Sequence, residues 1–117
     1  MANTVSLKKN KEFKKVFFKG KWYKGRYLVL YILPNIYDYN RIGIAVSKKT
    51  GNSVKRNHIK RIIRESYRLN KNIITNGFDF VILWKSKDIE VIYQNVFNDL
   101  NKLFKKSGLI DSGCINN

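Results

Sequence analysis

The sequence predicts a single α+β domain with the element order α-β-β-β-α-β-α, a two-layer sandwich of helices on a four-stranded sheet. Three observations predict it. The chain has 117 residues, the size of one domain and enough to bury a core of its own. Apolar residues are 44% of it, the content of a globular protein and too much for a disordered one. Helical spacings of three and four alternate along the chain with short strand-like runs. No internal repeat, second domain or low-complexity linker interrupts the pattern, so the domain is expected over 1–117, with an ordered core at about 7–106 and a mobile tail at 107–117.

The first element is a short helix over Lys11 to Lys19, capped by Asn10 and ended by Gly20. Phe13, Val16 and Phe17 share one of its faces, and Lys11, Lys14, Lys15 and Lys19 fall largely on the others. A short strand at Lys21 to Tyr23 and a longer one at Arg26 to Leu33 follow, rich in aromatic and β-branched residues. Pro34 and the polar run Asn35 to Asn40 make a loop. Arg41 to Ser47 reads as the hairpin partner of the preceding strand, with Ile42, Ile44 and Val46 on its buried face. A basic loop, Lys48 to Gly51, leads to a helix at about Val54 to Leu69, capped by Asn52 or Ser53. Gly77 marks a turn, and the apolar run Phe78 to Trp84 predicts a central strand buried on both faces. The last helix is expected at about Ile89 to Lys105, capped by Ser86 or Asp88. Ile92, Val96, Leu100, Leu103 and Phe104 lie on its sheet-facing side, and Gly108 ends it.

Charge narrows the function. Lys and Arg number 24 against 8 Asp and Glu, a net +16. Such an excess disfavours the compact state by self-repulsion unless a polyanion neutralises it. Nucleic acid is the expected partner, because each phosphate contact releases a condensed counterion. An anionic membrane surface is the competing explanation; it usually requires a basic amphipathic helix or a lipid anchor. Met1 to Lys9 lack an apolar core of signal-peptide type, and no apolar run approaches the ~20 residues that span a bilayer. The single cysteine, Cys114, cannot form an intrachain disulfide. The expectation is a cytoplasmic protein with no membrane partner.

The central helix carries the sharpest signal. At 100° per residue from Val54, Ile59, Ile62, Ile63 and Leu69 fall between about 60° and 180°; Arg56, Asn57, Lys60, Arg61, Arg64 and Arg68 fall between about 200° and 340°. Lys55 breaks the pattern and Glu65 lies at the margin. A merely solvated face usually mixes signs. Here Arg56, Lys60, Arg64 and Arg68 stand at successive i, i+4 positions, where like charges cost about 0.2–0.5 kcal/mol per pair. A phosphate backbone turns that repulsion into binding, and the arginine fork suits phosphates and base edges. A helix-turn-helix reader of DNA needs a short helix just upstream, where this chain has a strand and a glycine loop, so RNA is preferred.

The run Gly51-Asn52-Ser53-Val54-Lys55-Arg56-Asn57-His58-Ile59-Lys60-Arg61-Ile62-Ile63-Arg64-Glu65 resembles the hallmark of the bacterial ribonuclease P protein component. Its flanks do so too: Leu7-Lys8-Lys9-Asn10 with Phe13, and Arg41-Ile42-Gly43-Ile44-Ala45-Val46-Ser47-Lys48-Lys49. The likeness runs from about Leu7 to Phe104. The family pattern usually has Arg where this chain has His58, so His58 is left out of the contact set. The resemblance implies a left-handed βαβ crossover of the ribosomal protein S5 domain 2-like kind, against the usual right-handed rule. It also implies a role: protein subunit of an endoribonuclease that removes the 5′ leader from precursor tRNA. The RNA subunit then performs the magnesium-dependent hydrolysis. The expected partners are that catalytic RNA, bound one protein per RNA through Arg56, Asn57, Lys60, Arg61, Arg64 and Arg68, and the precursor tRNA. No cofactor is expected in the chain itself; Mg2+ is required by the ribonucleoprotein.

Strand alternation puts Leu28, Leu30 and Ile32 on one face, wholly aliphatic and therefore core, and Tyr27, Val29 and Tyr31 on the other. Aromatic rings beside lysines make a stacking platform for single-stranded RNA. By the resemblance, Phe13, Phe17 and Tyr31, with Lys48 and Lys49, are the leader contacts. Catalytic constellations are absent: one His, one Cys, no Gly-rich phosphate loop, no zinc spacing, and scattered acids where a two-metal nuclease needs a cluster. A structural RNA binder of ribosomal type needs the helix and not the aromatic groove. A self-sufficient nuclease needs the missing carboxylates.

Overall fold

The computed structural model describes residues 4–71, 73–87 and 90–110. In chain order the elements are β1 (Thr4–Ser6), α1 (Asn10–Lys19), β2 (Lys21–Lys24), β3 (Leu28–Pro34), β4 (Asn40–Ala45), a 3-10 turn (Lys48–Thr50), α2 (Ser53–Arg68), β5 (Phe78–Trp84) and α3 (Tyr93–Ser107). The strands form one five-stranded sheet in the order β1-β4-β5-β3-β2. The four-stranded expectation missed β1. Three residues with only Val5 apolar give no strand signal; β1 exists because it pairs parallel to β4, Thr4 to Asn40 through Ser6 to Ile42.

β5 is central, as its nearly continuous apolar run, broken only by Asp79, predicts. It pairs parallel to β4 and antiparallel to β3. β3 and β4 are therefore not a hairpin, contrary to the sequence expectation: β5 lies between them, in the middle of the sheet where α1 covers one of its faces and α2 and α3 cover the other. The hairpin is β2–β3, with Trp22 opposite Tyr31. α2 crosses from β4 to its parallel neighbour β5.

The sheet also separates two cores, so the helices form a layer on each face, three layers in place of the two-layer sandwich expected, because α1 buries an apolar face of its own against the far side of the sheet. On one face Leu28, Leu30, Ile32, Phe80, Ile82 and Trp84 pack against Ile59, Ile62, Ile63 and Tyr67 of α2 and Val96, Leu100, Leu103 and Phe104 of α3. On the other, α1 rests on β3 and β5: Val16 and Val81 are fully buried, with Leu7, Phe13, Phe17, Tyr31, Leu33 and Ala45 around them.

Several boundaries moved. Asn10 is the first residue of α1 rather than its cap; the Lys9 N–H donates to the Glu12 carboxylate. Gly20 ends α1 at an ordinary extended φ, and it is close approach that calls for glycine there: a Cβ would meet the carbonyl oxygens of Val16 and Ile32 at 2.6 and 2.7 Å. Asn52 caps α2, its Oδ1 accepting from the Lys55 N–H at 2.9 Å. Leu69 is exposed past the end of α2, and Ser66 and Tyr67 take the buried positions. α3 starts at Tyr93, so Ile92 precedes it and is exposed; Asp88 and Ile89 lie outside the described residues. Gly108 ends α3 with a left-handed φ of 80°. Leu109 and Ile110, assigned to the tail, are buried, and the Thr75 N–H donates to the Leu109 carbonyl; Cys114 and the rest of the tail lie outside the described residues.

Two polar devices fix the frame around the cleft. The buried Asp99 carboxylate on α3 accepts N–H groups of Arg26, Tyr27 and Leu28 at 2.9, 2.9 and 3.1 Å, tying the β2–β3 hairpin to the helix. On the opposite face, Arg41 joins Asp79 at 2.7 Å and Glu12 at 2.6 Å, locking the start of α1 to β4 and β5.

Candidate nucleic-acid interface

α2 presents the predicted surface. Ile59, Ile62 and Ile63 anchor it to the sheet, and the opposite side carries Arg56, Asn57, Lys60, Arg61, Arg64 and Arg68. Arg68 is the exception in kind: it forms an exposed ion pair with Glu65. Hydrogen bonding to Arg68 lowers the Glu65 carboxyl below its ordinary value. Among the described residues the side chains of Arg56, Lys60, Arg61 and Arg64 form no ion pair, and the first turn of α2 holds no acid. Cations at that end oppose the helix dipole. So α2 carries positive charge where its own stability disfavours it. His58 is exposed, outside the unpaired cluster.

The other face of the sheet can be described in rows across the strands. The lowest is Arg41, Asp79 and Leu33, the middle Gly43, Val81, Tyr31 and Trp22, the upper Ala45, Leu83, Val29 and Lys24. α1 crosses the middle row. Phe13 lies directly on Gly43, where a Cβ would come within 2.5 Å of its ring. Phe17 meets Tyr31 edge to face, centroids 4.7 Å apart. Phe13, Phe17 and Tyr31 are only half-buried, so part of each residue stays open to solvent. Lys48 and Lys49 are exposed in the turn that follows β4, at the upper end of the same sheet. The Arg41 network holds α1 at this angle. Burial works to raise the Asp79 carboxyl, but hydrogen bonds from Arg41 and Asn35 outweigh it and hold it below its usual value. Those to Asp79 in turn raise the Arg41 guanidinium. A backbone N–H from Lys9 lowers the Glu12 carboxyl.

Two cavities flank these surfaces. One, of about 320 Å³, lies where β4 continues past the end of β1, and Phe13, Lys60, Arg64, Tyr67 and Lys71 line it. There the aromatic side and the cationic helix meet. The other, also about 320 Å³, is bounded by Ser47, Lys49, Lys55, Trp84, Lys85 and Lys87 at the start of α2.

A family model described as Ribonuclease P matches residues 1–108. The chain belongs to the ribonuclease P protein family. It is 41% identical over 115 residues to the ribonuclease P protein component of Natranaerobius thermophilus, covering 98% of this chain and 100% of that one. The solved ribonuclease P protein of Staphylococcus aureus superposes with a TM-score of 0.83 at 32% identity, over 93% of this chain and 100% of that one. That of Thermotoga maritima gives 0.79 at 34% identity, over 86% and 96%.

Placed in this ribonuclease P fold, the predicted residues fall into two groups. The α2 set forms one strip, and Phe13, Phe17 and Tyr31 converge on α1 and β3 across the sheet. Sequence reasoning named Lys49 and missed the other three lysines of the second cavity. Lys55 stood out only as a break in the helical pattern, yet it and Lys85 and Lys87 gather beside Lys49. Their signal was present as Lys85 and Lys87 straight after a central strand, a position that returns them to the edge where α2 begins.

Proposed function

We propose that this chain is the protein subunit of ribonuclease P, acting in the maturation of the tRNA 5′ end with an RNA subunit as the catalyst. The observation that carries the reading is the strip of unpaired cations on α2, backed across the sheet by an aromatic cleft. The strip receives the phosphate backbone of the RNA subunit, and the release of counterions drives that contact. The cleft takes the single-stranded leader of precursor tRNA: bases stack on Phe13, Phe17 and Tyr31, and Lys48 and Lys49 hold the phosphates. Lys55, Lys85 and Lys87 extend that basic end. The left-handed sense of the α2 crossover and the S5 domain 2-like grouping belong to the same reading.

The magnesium demand falls to the RNA. Among the described residues no three His, Cys, Asp or Glu side chains gather to hold a metal ion, and Glu12 and Asp79 are both engaged by Arg41. The work of this chain is electrostatic: it offsets repulsion between two large RNAs and so lowers the divalent-ion concentration at which they associate.

Reconstitution tests the reading. The protein, a bacterial ribonuclease P RNA and a precursor tRNA are combined at low magnesium, and cleavage at the mature 5′ end is followed. The expected result is cleavage that needs both components. Cleavage by the protein alone, or an RNA rate unchanged by the protein, would overturn it.

A further inference from the structure

We propose that Trp22 is a further stacking residue for the substrate leader, beside Tyr31, carrying the aromatic wall of the cleft out to the sheet edge. The proposal rests on the cleft reading above. Trp22 and Tyr31 are directly opposite each other in the antiparallel β2–β3 pair, so their side chains leave the same face about 5 Å apart. Tyr31 already holds Phe17 edge to face at 4.7 Å. The three aromatics thus step outward from α1 to β2, the edge strand of the sheet.

Exposure separates Trp22 from a core residue. It is 60% exposed, whereas the other tryptophan, Trp84, is 3% exposed. Its ring is paired with no other aromatic ring among the described residues. An open indole on an edge strand is a liability unless something covers it. The surrounding charge identifies the cover. Lys24 is exposed two residues along the same face of β2, Lys19 is exposed at the end of α1 three residues before Trp22, and the nearest acid on α1, Glu12, is committed to Arg41. An exposed indole among unpaired lysines suits a base on a phosphate backbone, with stacking from the ring and phosphate contacts from the lysines. One strand spacing is ~4.8 Å, so Trp22 takes a nucleotide adjacent to the one on Tyr31.

The test uses the reconstituted holoenzyme with two substrates, a leader-bearing precursor and the leaderless mature tRNA. Trp22→Ala is expected to weaken precursor binding by about 5- to 150-fold, the range for loss of one stacked base, with mature tRNA binding unchanged. Trp22→Phe keeps a ring and is expected to recover most of the loss. Trp22 emission should be quenched when precursor binds, and the quench should be absent in Trp22→Phe, where only buried Trp84 emits. Phe17→Ala and Tyr31→Ala serve as references. If they weaken precursor binding and Trp22→Ala does not, the proposal fails and the cleft stands. An equal loss for mature tRNA also sinks it, because the contact would then lie outside the leader. Should none of the three matter, the cleft reading itself has failed.

Discussion

Replacing Gly43 with Ala perturbs the cleft without substituting any of its proposed RNA contacts. A Cβ at position 43 would come within 2.5 Å of both Cε1 and Cζ of Phe13. Carbon atoms in contact sit about 3.5–4.0 Å apart, so ring and strand must separate by about 1 Å or more. β4 is fixed on one edge by β5 and cannot yield freely. The ring therefore tilts toward solvent, opening the contact between α1 and the sheet. Overpacking of this kind costs about 1–3 kcal/mol of stability. Precursor binding should weaken by up to about 1–3 kcal/mol, the value of one stacked base, while affinity for the RNA subunit stays unchanged because α2 packs on the other face. Chemical denaturation measures the first quantity and holoenzyme binding with precursor and mature tRNA the second. A Gly43→Ala protein that is destabilised yet discriminates precursor from mature tRNA as the parent does would refute the seating of Phe13 as part of the leader site.

Replacing Arg56 and Arg64 with Ala together should weaken binding to the RNA subunit and reduce the slope of log affinity against log salt by about one per lost contact; filter binding across a salt series measures it. The Asp79 carboxyl titrates below its ordinary value of 3.8. Its ion pair therefore contributes stability above that value, lost as pH falls through the lower folded one. Asp79→Asn should be less stable than the parent near neutrality and lose less on acidification, as denaturation midpoints from pH 7 to pH 2 would record (an acid-test range of about five units). Asp99→Ala strands three backbone N–H groups of the β2–β3 hairpin, and should cost about 1.5–3 kcal/mol by thermal unfolding without altering the salt slope for RNA.

Local pattern carried most of the fold into view. The apolar run Phe78–Trp84 declared its central place, and Leu28, Leu30 and Ile32 declared the main core, because alternation and continuity are properties of a few neighbouring residues. Pairing across the chain did not. Nothing between Leu33 and Arg41 reveals that a strand some forty residues downstream will insert between β3 and β4. β1 was invisible for the same reason: its three residues form a strand only because the edge of β4 is there to receive them. The start of α3 was displaced because Ile92 fits the helical spacing yet lies one position before the helix.

The site divides in the same way. The α2 strip could be drawn from a helical wheel, since one element carries it. The cleft needed three elements, and its aromatic members were named through family likeness rather than geometry. What only the structure supplies is the reason they meet: Gly43 clears space for Phe13, Arg41 pins α1, and strand register sets Trp22 beside Tyr31. The lysines at 55, 85 and 87 come from two segments joined only by the β4–α2–β5 crossover.

The central claim is that the two faces have separate duties, and a paired measurement on Arg64→Ala and Phe17→Ala tests it most directly. Each folded variant is assayed for affinity to the ribonuclease P RNA, and, once assembled, for its preference for precursor over mature tRNA. The account predicts a reciprocal pattern: Arg64→Ala loses affinity for the RNA subunit and keeps the precursor preference, whereas Phe17→Ala keeps the affinity and loses the preference. Both variants losing the same property would contradict it.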